Sequence, residues 1–251
     1  MSPAPGGLDH VFMVALAVVF PVLAARSSLR RLQRAAAEDL PRVKLAVYRR
    51  ALVLQWLFTA AVAASWLASG RPWSALGLVP RLSGGLAGVL VGLALYLIVL
   101  GRLRRLVPTD EAALERVRER TRHLERMLPA SRRERSWFFA LALTAGICEE
   151  VLYRGFAIWY LAAWPWLLVP GPPFLAAAVG SSLIFGLSHA YQGAGGVLLT
   201  AVVGGFLAAV YAITGSLFAG MLIHALMDLH AGYVSYRAYR GSGETACATA
   251  T

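Results

Sequence analysis

Cysteine and acidic side chains are both scarce in this chain. Its 251 residues hold 2 Cys, and 13 Asp plus Glu against 24 Lys plus Arg. Two cysteines, Cys148 and Cys247, do not make a disulfide framework. The N-terminus lacks the basic stretch of a cleavable signal peptide, so the first apolar run reads as an anchor. No His-Glu-x-x-His occurs, which removes the usual zinc-helix signature. No inverted repeat and no pair of broken helices is visible, which weighs against a proton-coupled carrier. The most informative scarcity is charge in the C-terminal half. Between Trp137 and Tyr236 the only charged residues are Glu149, Glu150, Arg154 and Asp228.

Apolar length is what the chain has in abundance. It is 58% hydrophobic, with a mean hydropathy of +0.62. Several runs approach the roughly 20 apolar residues that cross a bilayer. The pattern predicts an all-α, polytopic transmembrane helical bundle of about seven spans, six to eight at the limits. The spans are expected at 8–25, 51–68, 82–101, 137–164, 174–191, 197–213 and 217–236. Gly84, Gly88 and Gly92 in the third would let a neighbouring helix approach closely. The net charge of +11 would suggest nucleic acid in a soluble protein. Here the cations concentrate in residues 26–50 and 102–135, so they read as topology signals and contacts to anionic lipid, not to nucleic acid. Placing both loops inside puts the N-terminus outside and the C-terminus in the cytoplasm.

Within 102–135, Glu111, Glu115 and Glu119 alternate with Arg116, Arg118, Arg120 and Arg122. Leu114, Val117, Leu124 and Leu128 supply an apolar side. This segment is expected to be a cytoplasmic amphipathic helix near the head groups. Three sections follow: 1–135, N-terminal spans with two basic loops; 136–240, a functional transmembrane core; and 241–251, a disordered tail.

Charge inside an apolar run costs roughly 2.5–3.5 kcal/mol per residue at mid-bilayer, so it marks function by default. Helical spacing sorts the residues. Glu150 and Arg154 are i,i+4 and can pair, while Glu149 points about 100° away and stays free for chemistry. Phe185 and His189 share a face, as do His224 and Asp228; His230 falls off that face and reads as structural. Tyr153 and Tyr191 read as packing or interface residues. Hydrolysis of a peptide bond in a dry site needs a base for water and a donor for the oxyanion. Glu149 suits the first need, and histidines could hold the water and donate to the carbonyl oxygen. The same Glu149, His189, His224 and Asp228 could instead ligate zinc. One tension remains: Glu149 lies about 20 Å along its helix from the cytoplasmic end, whereas His189 lies near that end of the next span. For them to meet, the fourth helix must begin late, tilt, or break near Gly155.

Glu149-Glu150-x-x-x-Arg154, Phe185-x-x-x-His189 and His224-x-x-x-Asp228 resemble, in order, the three motifs of the CPBP family. That family comprises CAAX prenyl endopeptidases and bacteriocin-processing or immunity proteins, often called Abi. The resemblance implies a glutamate-type intramembrane endopeptidase in which Glu149 and His189 activate water. It implies that His224 and Asp228 form the oxyanion site, with Glu150, Arg154 and Phe185 supporting them. Position 228 departs from the Asn of eukaryotic-type members. No cofactor is favoured, although members have been labelled metal-dependent and zinc remains an alternative. The implied partners are membrane lipids and a membrane-anchored or C-terminal-tail protein substrate: prenylated, bacteriocin-like, or bearing a myxosortase-type sorting segment. The preference for Arg over Lys suggests a GC-rich bacterium and its inner membrane. A non-catalytic scaffold or immunity protein and a proton-coupled carrier are the competing classes.

Overall fold

A computed structural model describes residues 4–23, 29–78, 110–164 and 173–240, with 94, 97, 98 and 101 besides. Among the described residues the chain is helical and contains no strand. Four helices are long and apolar enough to cross a membrane: Leu40–Ala68, Arg132–Ala162, Ala190–Thr214 and Leu217–Tyr239. Gly7–Val22 and Pro173–Ser188 are shorter apolar helices. These six correspond to six of the expected spans. The other, 82–101, lies almost wholly outside the described residues, as do its three glycines and the tail 241–251. Leu57, Leu198, Leu199 and Val202 point outward, as lipid-facing side chains should.

In chain order, α1 is Gly7–Val14, continued by a π turn at Ala15–Val19 and a short helix at Phe20–Leu23. Next come α2 (Leu29–Arg34) and α3 (Leu40–Ala68). A 3₁₀ turn at Trp73–Leu76 follows, and then α4 (Glu111–Thr121) with a second 3₁₀ turn at Arg122–Met127. The central element is α5 (Arg132–Glu149), which runs on through a π-helical segment, Glu150–Ala157, into Ile158–Ala162. Last are α6 (Pro173–Ser188), α7 (Gly193–Thr214) and α8 (Leu217–Tyr239).

Two helices flank α5: α3 on one side and α8 on the other, while α6 packs on α7 and on the far end of the α5 rod. Gly146 makes the α5–α8 approach possible. A Cβ built there would lie 2.8 Å from the backbone nitrogen of Ala225 and 2.7 Å from its Cβ. At such a separation one side chain's worth of extra volume would push the helices apart.

The basic segments are more structured than topology alone requires. α3 starts at Leu40, well before the apolar run, with Pro41 in its first turn, where a missing N–H costs nothing. That start brings Lys44 into the protein interior. Its Nζ donates 2.8 Å to the Leu128 carbonyl and pairs with Glu134 at 3.4 Å. Glu134 also accepts from the Ala130 backbone at 2.8 Å, and Ser131 caps α5. α4 is amphipathic as expected, but its apolar side is not simply turned to lipid. Leu114, with Val117 and Leu128, covers Ala238 and Tyr239 at the end of α8. Arg118 donates 2.7 Å to the Ala238 carbonyl. An apolar stripe this narrow is satisfied by one helix end, so α4 closes the bundle's polar end instead of floating beside it.

Candidate active site

Two of the three alternatives for the fourth span, a late start and a break near Gly155, are not what the structure shows: α5 starts at Arg132 and stays helical to Ala162, with a π segment over Glu150–Ala157. From Arg132 to Glu149 the rise is about 25 Å, near mid-rod. His189 reaches that level because α6 is only 16 residues long. It ends at Ser188, and a 3₁₀ turn at Ala190–Gln192 turns the chain back into α7. The short helix resolves the tension in depth.

The π segment starts at Glu150, one residue after Glu149. π turns of this kind recur at functional sites because they re-aim side chains without ending the helix. Here the Ser181 hydroxyl of α6 donates 2.6 Å to the Tyr153 carbonyl inside the π segment. Glu150 and Arg154 pair at 2.9 Å, as their i,i+4 spacing predicts, with both side chains at or below 1% exposure. The Arg154 guanidinium also stacks on Phe185 at 4.2 Å.

Glu150 has a second partner that the spacing did not reveal. The ring of His224, from α8, places Nδ1 2.9 Å from Glu150 Oε1. A carboxylate accepts, so Nδ1–H donates, and His224 turns Nε2 toward the remaining acids. Nε2 lies 3.8 Å from Glu149 Oε2 and 3.7 Å from Asp228 Oδ2. The other oxygen of Glu150 is packed against Gly220, where a Cβ would come within 2.9 Å of it. Glu149 and Glu150 therefore both face the same imidazole, one on each nitrogen, although the spacing pointed them apart.

Glu149 is not free on both oxygens either. Its Oε1 accepts a 2.9 Å hydrogen bond from Nε2 of Gln55, on α3. Its Oε2 is buried and makes no hydrogen bond among the described residues. Sequence reasoning missed Gln55 altogether. The available signal was a polar residue on the packed face of an apolar helix, seven residues after buried Tyr48 and four before buried Thr59.

His189 belongs to the same cluster. Its Nδ1 lies 2.9 Å from the Phe185 carbonyl, and a carbonyl only accepts, so Nδ1 carries the proton and Nε2 presents a lone pair. The Phe185 ring lies between the two histidines, 4.8 Å from His189 and 5.8 Å from His224 by centroid. Phe185 is thus the packing partner expected of it, for three charged or polar groups at once. Tyr153 packs edge-on against Phe185 at 4.9 Å, and Tyr191 lies 5.7 Å from the His189 ring. Asp228 is half-exposed at 41%, against 14% for Glu149, so it sits at the mouth of the cluster. Among the described residues no hydrogen bond, ion pair or ring contact joins His230 to this group. No three His, Cys, Asp or Glu side chains among the described residues are grouped as the ligands of a metal would be.

These features define an all-α integral membrane bundle with a glutamate–histidine–aspartate cluster between three helices. Residues 132–230 match the family model described as Rce1-like: type II CAAX prenyl endopeptidase Rce1-like. The matched stretch contains all three motifs and agrees with the CPBP/CAAX protease family that they resemble. At the family level it supports a CAAX-type intramembrane endopeptidase, a hydrolase of peptide bonds. No curated protein and no solved structure matches the chain.

Proposed function

We propose that this chain hydrolyses a peptide bond near the C-terminus or membrane boundary of a protein substrate, with Glu149 as the base. One observation carries the reading: Glu149 Oε2 is buried and without a hydrogen bond, 3.8 Å from His224 Nε2, while its other oxygen is held by Gln55. Glu149 Oε2 takes a proton from a water that also donates to the Nε2 lone pair of His189. The hydroxide oxygen adds to the scissile carbonyl carbon, and the carbonyl π pair moves onto oxygen. His224 receives that oxyanion from Nε2. With Nδ1–H committed to Glu150, the ring donates from Nε2 only when both nitrogens carry protons. Asp228, 3.7 Å away at the mouth, orients the imidazole or, protonated, donates to the oxyanion itself. Collapse of the intermediate breaks the C–N bond, and the proton on Glu149 passes to the leaving nitrogen. Preorganised donors of this kind are worth about 10²–10³ each in rate.

The basic segments 26–50 and 102–135 favour a cytoplasmic location for both, with the N-terminus outside and the C-terminus in the cytoplasm of a bacterial inner membrane. The substrate is a membrane-anchored or C-terminal-tail protein. CAAX-type, bacteriocin-type and C-terminal sorting-signal substrates all present a scissile bond beside an apolar anchor. Purified wild-type protein in liposomes, offered one peptide of each kind, is expected to release a new terminus from at least one, read by mass spectrometry. Failure on all three would count against the endopeptidase reading.

A further inference from the structure

The three motifs and the family match both leave α3 out of the site, yet one of its side chains reaches the glutamate. We infer that Gln55 is a positioning residue of this reaction: it holds Glu149 Oε1 so that Oε2 alone faces water and His224. The proposal rests on the function given above. Gln55 Nε2 lies 2.9 Å from Glu149 Oε1, across 94 residues of sequence. Both unshared oxygens, Gln55 Oε1 and Glu149 Oε2, are buried and without a partner among the described residues.

The arrangement is built by α3 and not by chance contact. Tyr48, Thr59, Val62 and Trp66 are buried on α3. With Gln55 they fall at spacings of seven, four, three and four, the stripe that packs one helix along another. Tyr48 meets Phe138 of α5 edge-on at 5.7 Å, and Trp56 donates 3.1 Å to the Thr144 hydroxyl. α3 is therefore held in register against α5 about one turn before Glu149, which places the Gln55 amide within reach of the carboxylate. A carboxylate with two free oxygens rotates about its last bond and offers either one. A carboxylate held at one oxygen presents the other in a single direction, which is what proton transfer from a placed water requires. Gln55 does not touch substrate in this account. Its effect passes through Glu149.

The test compares Gln55→Met, which keeps length and removes the donor, with Gln55→His, whose ring N–H falls near the same place. Kinetics use a quenched fluorescent form of each of the three peptides (farnesylated CAAX, bacteriocin-type and sorting-signal), compared on whichever the wild type cleaves, and Glu149→Gln serves as the inactive control. Gln55→Met is expected to lower kcat about ten- to a hundredfold, the range of one hydrogen bond to a charged group, with KM within about twofold. Gln55→His, at a comparable melting temperature, should recover a large part of the loss. Infrared spectra supply a readout free of turnover. The carboxyl band of Glu149, identified as the one missing in Glu149→Gln, should shift in Gln55→Met. An unchanged band, an unchanged kcat, or a loss shared equally by kcat, KM and melting temperature would overturn the role of Gln55. Activity in Glu149→Gln, or a wild type that leaves all three kinds of peptide intact, would sink the underlying function while the infrared result still judges the hydrogen bond.

Discussion

Arg154→Ala probes the part of the site where the structure gives the firmest magnitude. Arg154 and Glu150 are 2.9 Å apart, and neither side chain exceeds 1% exposure. Removing the guanidinium leaves the Glu150 carboxylate far from water with the His224 ring as its one remaining polar partner among the described residues, and removes the stack on Phe185. Breaking such a buried pair costs about 3–5 kcal/mol. Lost cation–π contact pushes the loss toward the upper end, since a desolvated pair of this type is worth about 2 kcal/mol. Deleting both charges is a different perturbation. In Glu150→Gln/Arg154→Met the carbonyl oxygen of the new amide still accepts from His224 Nδ1, and no charge is stranded. The double variant should therefore lie within about 2 kcal/mol of wild type and be more stable than Arg154→Ala. Unfolding by SDS titration in mixed micelles, followed by tryptophan fluorescence, measures all three. Arg154→Ala within about 1 kcal/mol of wild type, or a double variant worse than the single one, would refute the reasoning.

Asp228→Asn is expected to keep substantial activity, Asp228→Ala to lose most of it, and chelators to change either little. Metal measured stoichiometrically in wild type and lost together with activity in Asp228→Asn would replace this mechanism with a metal-dependent one. Gly146→Val should cost about 1–3 kcal/mol by wedging α5 from α8, and should lower kcat through the lengthened Glu150–His224 contact. Equal stability and activity would mean that the helices do not meet there. Lys44→Met should destabilise by about 3–5 kcal/mol, because Glu134 is then buried with no cation, and Lys44→Met/Glu134→Gln should recover most of that loss in the same titration.

How much of this was legible in the sequence depends on where each partner comes from. Pairs within one helix were readable. Glu150 with Arg154, Phe185 with His189, and His224 with Asp228 all follow from i,i+4 geometry and are in contact. The four described helices long enough to span were readable because bilayer thickness fixes apolar length, whereas Gly7–Val22 and Pro173–Ser188 are shorter than the spans expected there. Contacts between helices were not. Glu150 to His224 spans 74 residues and Glu149 to Gln55 spans 94, and both depend on helix rotation set by packing at positions such as Gly146. The buried Asp9–Arg71 pair, at 2.6 Å and flanked by Trp66 and Trp159, escaped for the same reason. The π segment at Glu150–Ala157 leaves no periodic trace, since the same apolar pattern serves an α-helix equally well. The turn between α6 and α7 was legible, because Gln192 and the glycines Gly193, Gly195 and Gly196 separate the two apolar runs, but its onset just after Ser188, ahead of the expected span end at 191, was not.

The central claim is that Glu149 is the base, and Glu149→Gln tests it most directly. Glutamine keeps the shape and still accepts at one oxygen, so insertion, melting temperature and the Glu150–Arg154 pair should be preserved. Wild type and variant, purified and reconstituted side by side, are each incubated with a substrate that wild type cleaves, and the new terminus is quantified by mass spectrometry. Loss of a general base is expected to reduce product formation by two orders of magnitude or more. A folded Glu149→Gln protein that releases the same terminus at the wild-type rate would contradict the account.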